Sequence, residues 1–292
     1  MRRDEVDWVE GMNDAVGYIE ENLDGEIDYR CAAMCVGSSV YHFQRVFSYM
    51  TGISLSEYIR RRRLTLAAFD LQSSRMKVVD VSVKYGYDSP TAFSRAFQAF
   101  HSMTPSEARG TSKLFTAYPP ITFQISIKGV TAMTYRIEQR EKLRIVGLKL
   151  TTTQEGGKNL SELPAFWEEC RRLGQLSKIV GLINREPFGL LGVCVEPPDG
   201  GPEFDYFIAA ATDMPAPEGM SEYIIPASQY AIFECTGPMP DAIQDLSRRT
   251  YNEWLPSSGY VYGGGVDIEV YSDGDMSSKD YKSEIWVPVT KK

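Results

Sequence analysis

The sequence predicts a multidomain chain: an all-α N-terminal domain with two helix-turn-helix units, then an α+β C-terminal domain of duplicated β-α-β-β units on an antiparallel sheet. Three observations predict it. Residues 39–47 (SVYHFQRVF) return at 89–97 (SPTAFSRAF), so that Ser39 matches Ser89, Phe43 matches Phe93, Arg45 matches Arg95 and Phe47 matches Phe97. Apolar residues recur every three or four positions up to about residue 110, where the texture changes to an alternating stretch at 121–128 and then to strand-like runs separated by two helices. Charge is divided in the same way: residues 29–112 carry 11 Lys+Arg against 5 Asp+Glu, although the whole chain is −8.

The first helix spans 7–23, with apolar residues at 8, 12, 15, 16, 19 and 23, and Asp24-Gly25 ends it. Residues 30–36 form a short helix that Gly37 stops, and the first copy of the repeat then starts a new helix. In that helix Phe43, Val46 and Phe47 make one apolar face, while Tyr41, Gln44 and Arg45 fall mostly on the other. Thr51-Gly52 closes it, and residues 55–73 read as one long helix that carries the run Arg60–Arg63. Residues 78–85 with Gly86, then 89–100, repeat the short helix, turn and capped helix; Ser89 is placed as an N-cap and Pro90 as a first-turn proline. A helix, a glycine-containing turn and a second capped helix is a pattern that enters the DNA major groove, where Arg pairs with guanine and Gln with adenine. The net +6 of residues 29–112 suits a phosphate surface, whereas residues 1–28 (−8) and 113–292 (−6) need not approach DNA.

Past residue 110 a linker holds Pro119-Pro120 and an alternating stretch at 121–128, expected to be a strand or hairpin. Strands follow at 143–150, 189–195, 206–211, 229–235, 267–271 and 284–289, with helices at 161–176 (Pro164 in the first turn) and 241–255. The strand-helix-strand-strand order occurs twice, so a pseudo-twofold domain with a concavity between its halves is expected. Near the end, two strands carry a carboxylate with an aromatic ring two residues on: Glu269 with Tyr271, and Glu284 with Trp286. Such pairs can box a lipophilic cation, or can be edge carboxylates facing water; spacing alone leaves both open.

The chain is 43% hydrophobic and 24% charged, an ordinary globular composition, and it has no apolar run of 18 residues. The start lacks the apolar core of a signal peptide, so a cytoplasmic location and no membrane partner are expected. Five cysteines (31, 35, 170, 194 and 235) and two histidines (42 and 101) form no ligand cluster, so no metal site, cofactor or disulfide framework is expected.

Residues from about 8 to 109 resemble the DNA-binding domain of the AraC/XylS family of bacterial transcription regulators. The carriers are Tyr41–Phe47, the run from Thr51 to Leu64, Val83–Ser89, Phe93–Phe97 and Met103–Arg109. The resemblance implies two helix-turn-helix units flanking a linking helix, with Tyr41, Gln44 and Arg45, then Pro90, Thr91 and Arg95, at base-reading positions. Beside them Arg60 and Arg61 are candidates for phosphate contact. Residues 133–292 resemble the GyrI-like effector-binding domain, through Tyr135–Glu138, Arg144–Gly147, Trp254–Pro256, Asp267–Tyr271 and Ser283–Val289. It implies drug-binding carboxylates at Glu269 and Glu284 and aromatic walls from Tyr206, Tyr271 and Trp286. The expected organisation is a DNA-binding domain over 1–110, a linker over 111–130 and an effector domain over 131–292. The expected function is a promoter-binding transcription regulator, an activator by family habit, that answers a small lipophilic or cationic effector and contacts RNA polymerase. The competing readings make the C-terminal domain a small-molecule hydrolase, with Glu269 or Glu284 as general base, or a protein-interaction module.

Overall fold

The structure is a computed structural model that describes residues 8–109, 114–124, 132–196 and 203–292. Six helices come first: α1 Trp8–Glu21, α2 Tyr29–Cys35, α3 Val40–Thr51, α4 Leu55–Ser73, α5 Val78–Lys84 and α6 Pro90–His101. Strands β1 Tyr135–Arg140 and β2 Leu143–Thr153 are followed by helices α7 Lys158–Arg172 and α8 Gln175–Val180, then by β3 Leu190–Val195, β4 Glu203–Ala211, β5 Ser221–Ile225 and β6 Ser228–Thr236. Helix α9 Asp241–Arg249 runs on through a π-helical turn at Thr250–Trp254, and β7 Tyr260–Tyr262, β8 Ile268–Tyr271 and β9 Lys282–Lys291 complete the chain. The chain divides into two compact units that do not follow chain order. Among the described residues, one holds 8–40 with 53–124 and the other holds 41–52 with 132–292.

In the helical unit the predicted faces are the buried ones. Helix α1 buries Trp8, Met12, Ala15, Val16 and Ile19 at the expected spacing. Ser54 caps α4 by accepting from the Glu57 amide, and Ser89 caps α6 by accepting from the Ala92 amide at 3.1 Å, with Pro90 at the first helical position. Gly86 turns the chain at φ 75°, a left-handed conformation that glycine adopts without strain. Phe93 and Phe97 of α6 pack with Leu64, Leu71, Val81 and Met103 in one core. Arg62 of α4 is nearly buried and paired with Glu20 of α1 at 2.6 Å, and the Tyr58 hydroxyl donates to the same carboxylate at 2.7 Å. Residues 114–124 are strapped to this unit: the Tyr118 and Ile121 amides donate to Thr65 and Tyr58, and Asn13 exchanges two bonds with the Phe123 backbone. Of the strand or hairpin expected at 121–128, residues 121–124 join no strand, and 125–128 lie outside the described residues.

The second unit contains nine strands among the described residues. Eight follow the order β1-β6-β9-β8-β3-β4-β2-β5 with every neighbour antiparallel, and β7 pairs with the end of β9. The two predicted β-α-β-β units are β2-α7-β3-β4 and β6-α9-β8-β9. Read outward from the β8/β3 seam, both halves run second, third, first strand, which is a pseudo-twofold arrangement. Each half is preceded by one strand that crosses to the other half: β1 pairs with β6, and β5 pairs with β2. Sequence reading did not find β1, β5 or β7. Helix α7 begins three residues earlier than expected, so Pro164 stands inside it rather than in its first turn, and a break at Gly174 separates α8.

The register fixes the faces. Glu269 lies opposite Gly192 on β3 and Ile285 on β9, while Glu284 lies opposite Val270 on β8 and Glu234 on β6. Directly opposed residues point to the same side of a sheet and neighbours along a strand alternate. Glu269, Tyr271, Gly192, Cys194 and Tyr206 therefore share one face; Glu284, Trp286, Ile268 and Val270 share the other. The second face is the apolar core of the unit, built from Leu191, Val193, Phe207, Ile232, Ile268 and Trp286 among others. The first face is covered by helix: Trp167 of α7 meets Tyr206 and Tyr271, and Trp254 beyond α9 packs edge-on to Phe233.

Candidate functional site

Glu269 sits at the pseudo-twofold seam, on one of the two central strands. The residue facing it is a glycine for a steric reason. A Cβ at position 192 would lie 2.6 Å from the Tyr206 hydroxyl and 2.9 Å from the Glu269 carboxylate. Glycine lets these two groups lie across the strand. The Tyr271 hydroxyl donates to Glu269 at 2.9 Å, and Trp167 Nε1 donates to the Tyr206 hydroxyl at 2.9 Å. The Trp167 and Tyr271 rings meet at 5.2 Å in an edge arrangement. The result is a single carboxylate enclosed by three amphipathic rings. Burial raises the Glu269 carboxyl above its usual range, with Arg45 and the Tyr271 bond offsetting part of the rise. A positive charge beside it would recover the ionised form, and the ring faces favour the same charge.

Asp267 is on the same side, two residues before Glu269. It accepts from the Tyr251 hydroxyl at 2.8 Å and from Arg45 at 2.8 Å. Burial raises its carboxyl as well, and Arg45 opposes that rise. Sequence reading missed Asp267 and Trp167. The signal for Asp267 was present, since 267, 269 and 271 alternate in one strand pattern; Trp167 arrives from a helix about a hundred residues away and left no local signal.

Residues of α3 lie at this same face. The Tyr41 ring is 4.5 Å from Phe204, and its carbonyl accepts from Gln154 Nε2 at 3.1 Å. His42 stacks on Tyr262 with ring centroids 3.3 Å apart. Arg45 forms its ion pair with side-chain exposures of only 13% for Arg45 and 5% for Asp267, and also donates to the Tyr49 hydroxyl. Burial works against the Arg45 charge, but Tyr49 and Asp267 more than restore it and hold the guanidinium protonated. Gln44 is half-buried.

The remaining predicted residues are placed as follows. Pro90, Thr91 and Arg95 are exposed on α6. Arg60 and Arg61 both pair with Glu57, at 2.7 and 2.6 Å, and Arg61 also lies over the Tyr118 ring. Glu284 and Trp286 are not brought to Glu269. Trp286 Nε1 donates to Glu284 at 2.7 Å, and Arg136 pairs with that carboxylate at 2.9 Å on the opposite face. Arg140 stands over the Trp286 ring at 4.8 Å, so this carboxylate and ring already have cationic partners. Among the described residues no group of three or more His, Cys, Asp and Glu is disposed to hold a metal, and no helix is long and apolar enough to cross a membrane.

The helix-turn-helix repeat and the pseudo-twofold sheet with a half-buried carboxylate at its seam point to a DNA-binding regulator with a small-molecule-binding domain. Comparison with known proteins agrees: residues 133–290 match the GyrI-like small molecule binding domain, and residues 32–111 match a helix-turn-helix domain. The chain belongs to the GyrI-like family through its C-terminal half and to the AraC-type transcription regulators through its N-terminal third. It is 37% identical to the HTH-type transcriptional activator AarP of Providencia stuartii over 95 residues, which are 32% of this chain and 70% of AarP. It is 25% identical to the transcriptional regulator Rob of Salmonella typhimurium over 268 residues, 89% of each chain. Among solved structures, SAV2435 bound to tetraphenylphosphonium is 28% identical over 54% of this chain and 94% of that one, with a TM-score of 0.49.

Proposed function

We propose that this regulator is a promoter-binding activator whose effector is a lipophilic cation held at Glu269, with Tyr206, Tyr271 and Trp167 as walls. The observation that carries the reading is the Glu269 carboxylate, half-buried at the sheet seam and flanked by rings, with a glycine opposite to leave it room. The proposed organisation is a DNA-binding domain over 1–110, a linker over 111–130 and an effector domain over 131–292. DNA is read by Tyr41, Gln44 and Arg45 of α3 and by Thr91 and Arg95 of α6, with Arg60 and Arg61 free to exchange Glu57 for phosphate. RNA polymerase is the downstream partner, and the protein works in the cytoplasm. Catalysis is not part of the proposal. Both histidines are buried, His42 stacked on Tyr262 and His101 bonded to the Leu64 carbonyl at 3.0 Å, and burial pushes the Cys194 thiol beside Tyr41 up to about 11.

Calorimetric titration with tetraphenylphosphonium, the ligand of SAV2435, tests the reading. Wild type should bind, and Glu269→Gln should weaken binding by at least about tenfold, roughly 1.4 kcal/mol. Glu284→Gln should leave binding unchanged, because that carboxylate faces the other way. Equal binding by wild type and Glu269→Gln would remove Glu269 from the site, and a loss confined to Glu284→Gln would move the site to the opposite face.

A further inference from the structure

We propose that the effector site has a built-in occupant. The regulator holds its own first recognition helix there, with the Arg45 guanidinium in the place of an effector's cation, and that helix reads DNA only after an effector displaces it. The proposal rests on the effector-site reading above and adds the means by which that site controls DNA binding.

Three observations carry it. Two of the three α3 residues assigned to base reading face the sheet: Arg45 bonds Asp267 at 2.8 Å, and Tyr41 lies on Phe204 with its carbonyl held by Gln154. Arg95, which occupies the same place in the second copy, is exposed. A guanidinium that bonds Asp267 cannot also donate to the acceptors of guanine, so the two engagements exclude each other. Finally, the environment of Arg45 repeats the chemistry expected for an effector: two carboxylates on one side of a strand, the buried Asp267 and the half-buried Glu269, and the Tyr49 and Tyr251 rings near the cation. The seat therefore suits a lipophilic cation with an aromatic flank, and an aryl-guanidinium is the member of that class that matches Arg45 group for group.

The energetics suit a switch. A buried ion pair gives back in desolvation much of what it gains by attraction, so the docked helix is held by a small surplus. If docking is favoured about tenfold, the apparent affinity for DNA falls by about tenfold, and an effector that binds only the vacated site restores it. Effector and DNA then favour the same open state, which is the sign an activator requires.

The test uses the full chain and a duplex selected from a random-sequence pool by that chain. Asp267→Asn removes the charge partner of Arg45 with little change of shape, and Gln154→Ala removes the bond to the Tyr41 carbonyl; neither residue is assigned to DNA. Duplex affinity is measured by anisotropy with and without phenylguanidinium, and phenylguanidinium binding is measured separately by calorimetry. Without the probe, Asp267→Asn should bind duplex about tenfold tighter than wild type, and Gln154→Ala should move the same way. The probe should tighten wild type by a similar factor and leave Asp267→Asn unmoved. Duplex affinities of both variants equal to wild type, with probe binding by wild type intact, would overturn the docked helix and leave the effector site standing. Tighter duplex binding by both variants with no probe bound by wild type would keep the docked helix and overturn the effector reading.

Discussion

The two repeated helices are built from the same pattern and meet opposite fates. Helices α3 and α6 share Phe43/Phe93 and Phe47/Phe97 on the inner face, and all four rings are buried. They share an arginine on the outer face as well, but Arg95 is exposed while Arg45 is paired with an aspartate 222 residues further along the chain. The difference teaches that local sequence decides which side of a helix is apolar, whereas the partner of the polar side is decided by residues that only the tertiary fold brings near.

The inner faces should be equivalent. Phe97→Ala and Phe47→Ala should each cost about 3–5 kcal/mol in urea unfolding, since both rings are fully buried. A cost under about 1 kcal/mol at either position would break the equivalence. The outer faces should differ. Arg95→Ala should weaken binding to a selected duplex by about 1–3 kcal/mol at any effector level. Arg45→Ala should cost clearly less than this without effector, because the substitution removes a base contact and the docking contact together, and should match Arg95→Ala once phenylguanidinium is present. Identical behaviour of the two variants in both conditions would mean that α3 and α6 are equally available.

A smaller effect concerns the site alone. Gly192→Ala places a methyl carbon 2.6 Å from the Tyr206 hydroxyl and should lower cation affinity by at least about tenfold (~1.4 kcal/mol). Unchanged affinity would show that Glu269 and Tyr206 do not act across that strand. The smallest effect is a pH dependence. Burial lowers the His101 pKa below its usual 6.5, although its bond to the Leu64 carbonyl opposes the change. The unfolded chain therefore binds the proton first as pH falls, and the stabilising contribution is present above about pH 6.5 and lost below it. The thermal midpoint should drop between pH 7 and pH 5.5, and His101→Gln should make that drop shallower. His42, lowered in the same direction by burial beside Arg45, keeps its own share of the slope.

Much of the fold was legible because it is written in local periodicity. The long helix at 55–73, the Ser89 cap and the doubled β-α-β-β order are all readable from neighbouring residues. Strands β1, β5 and β7 were not. Each is short and half-exposed, and β1 and β5 owe their place to pairing with the other half of the domain. The site was half legible for a related reason. Alternation put Glu269 and Tyr271 on one face, but the pairing of Glu269 with Ile285 rather than Glu284 sends the two carboxylates to opposite sides, and a register shift of one residue would reverse that. Nothing within ten residues of Arg45 marks its partner.

The most direct measurement is the affinity of the full chain for phenylguanidinium, with and without saturating selected duplex. Coupling between two sites is reciprocal, so if the probe tightens duplex binding, the duplex must tighten probe binding by the same factor. The account predicts a gain of about tenfold in both directions, lost in Asp267→Asn. Equal probe affinity with and without duplex would contradict it, because α3 would then leave the effector site no emptier when it is on DNA.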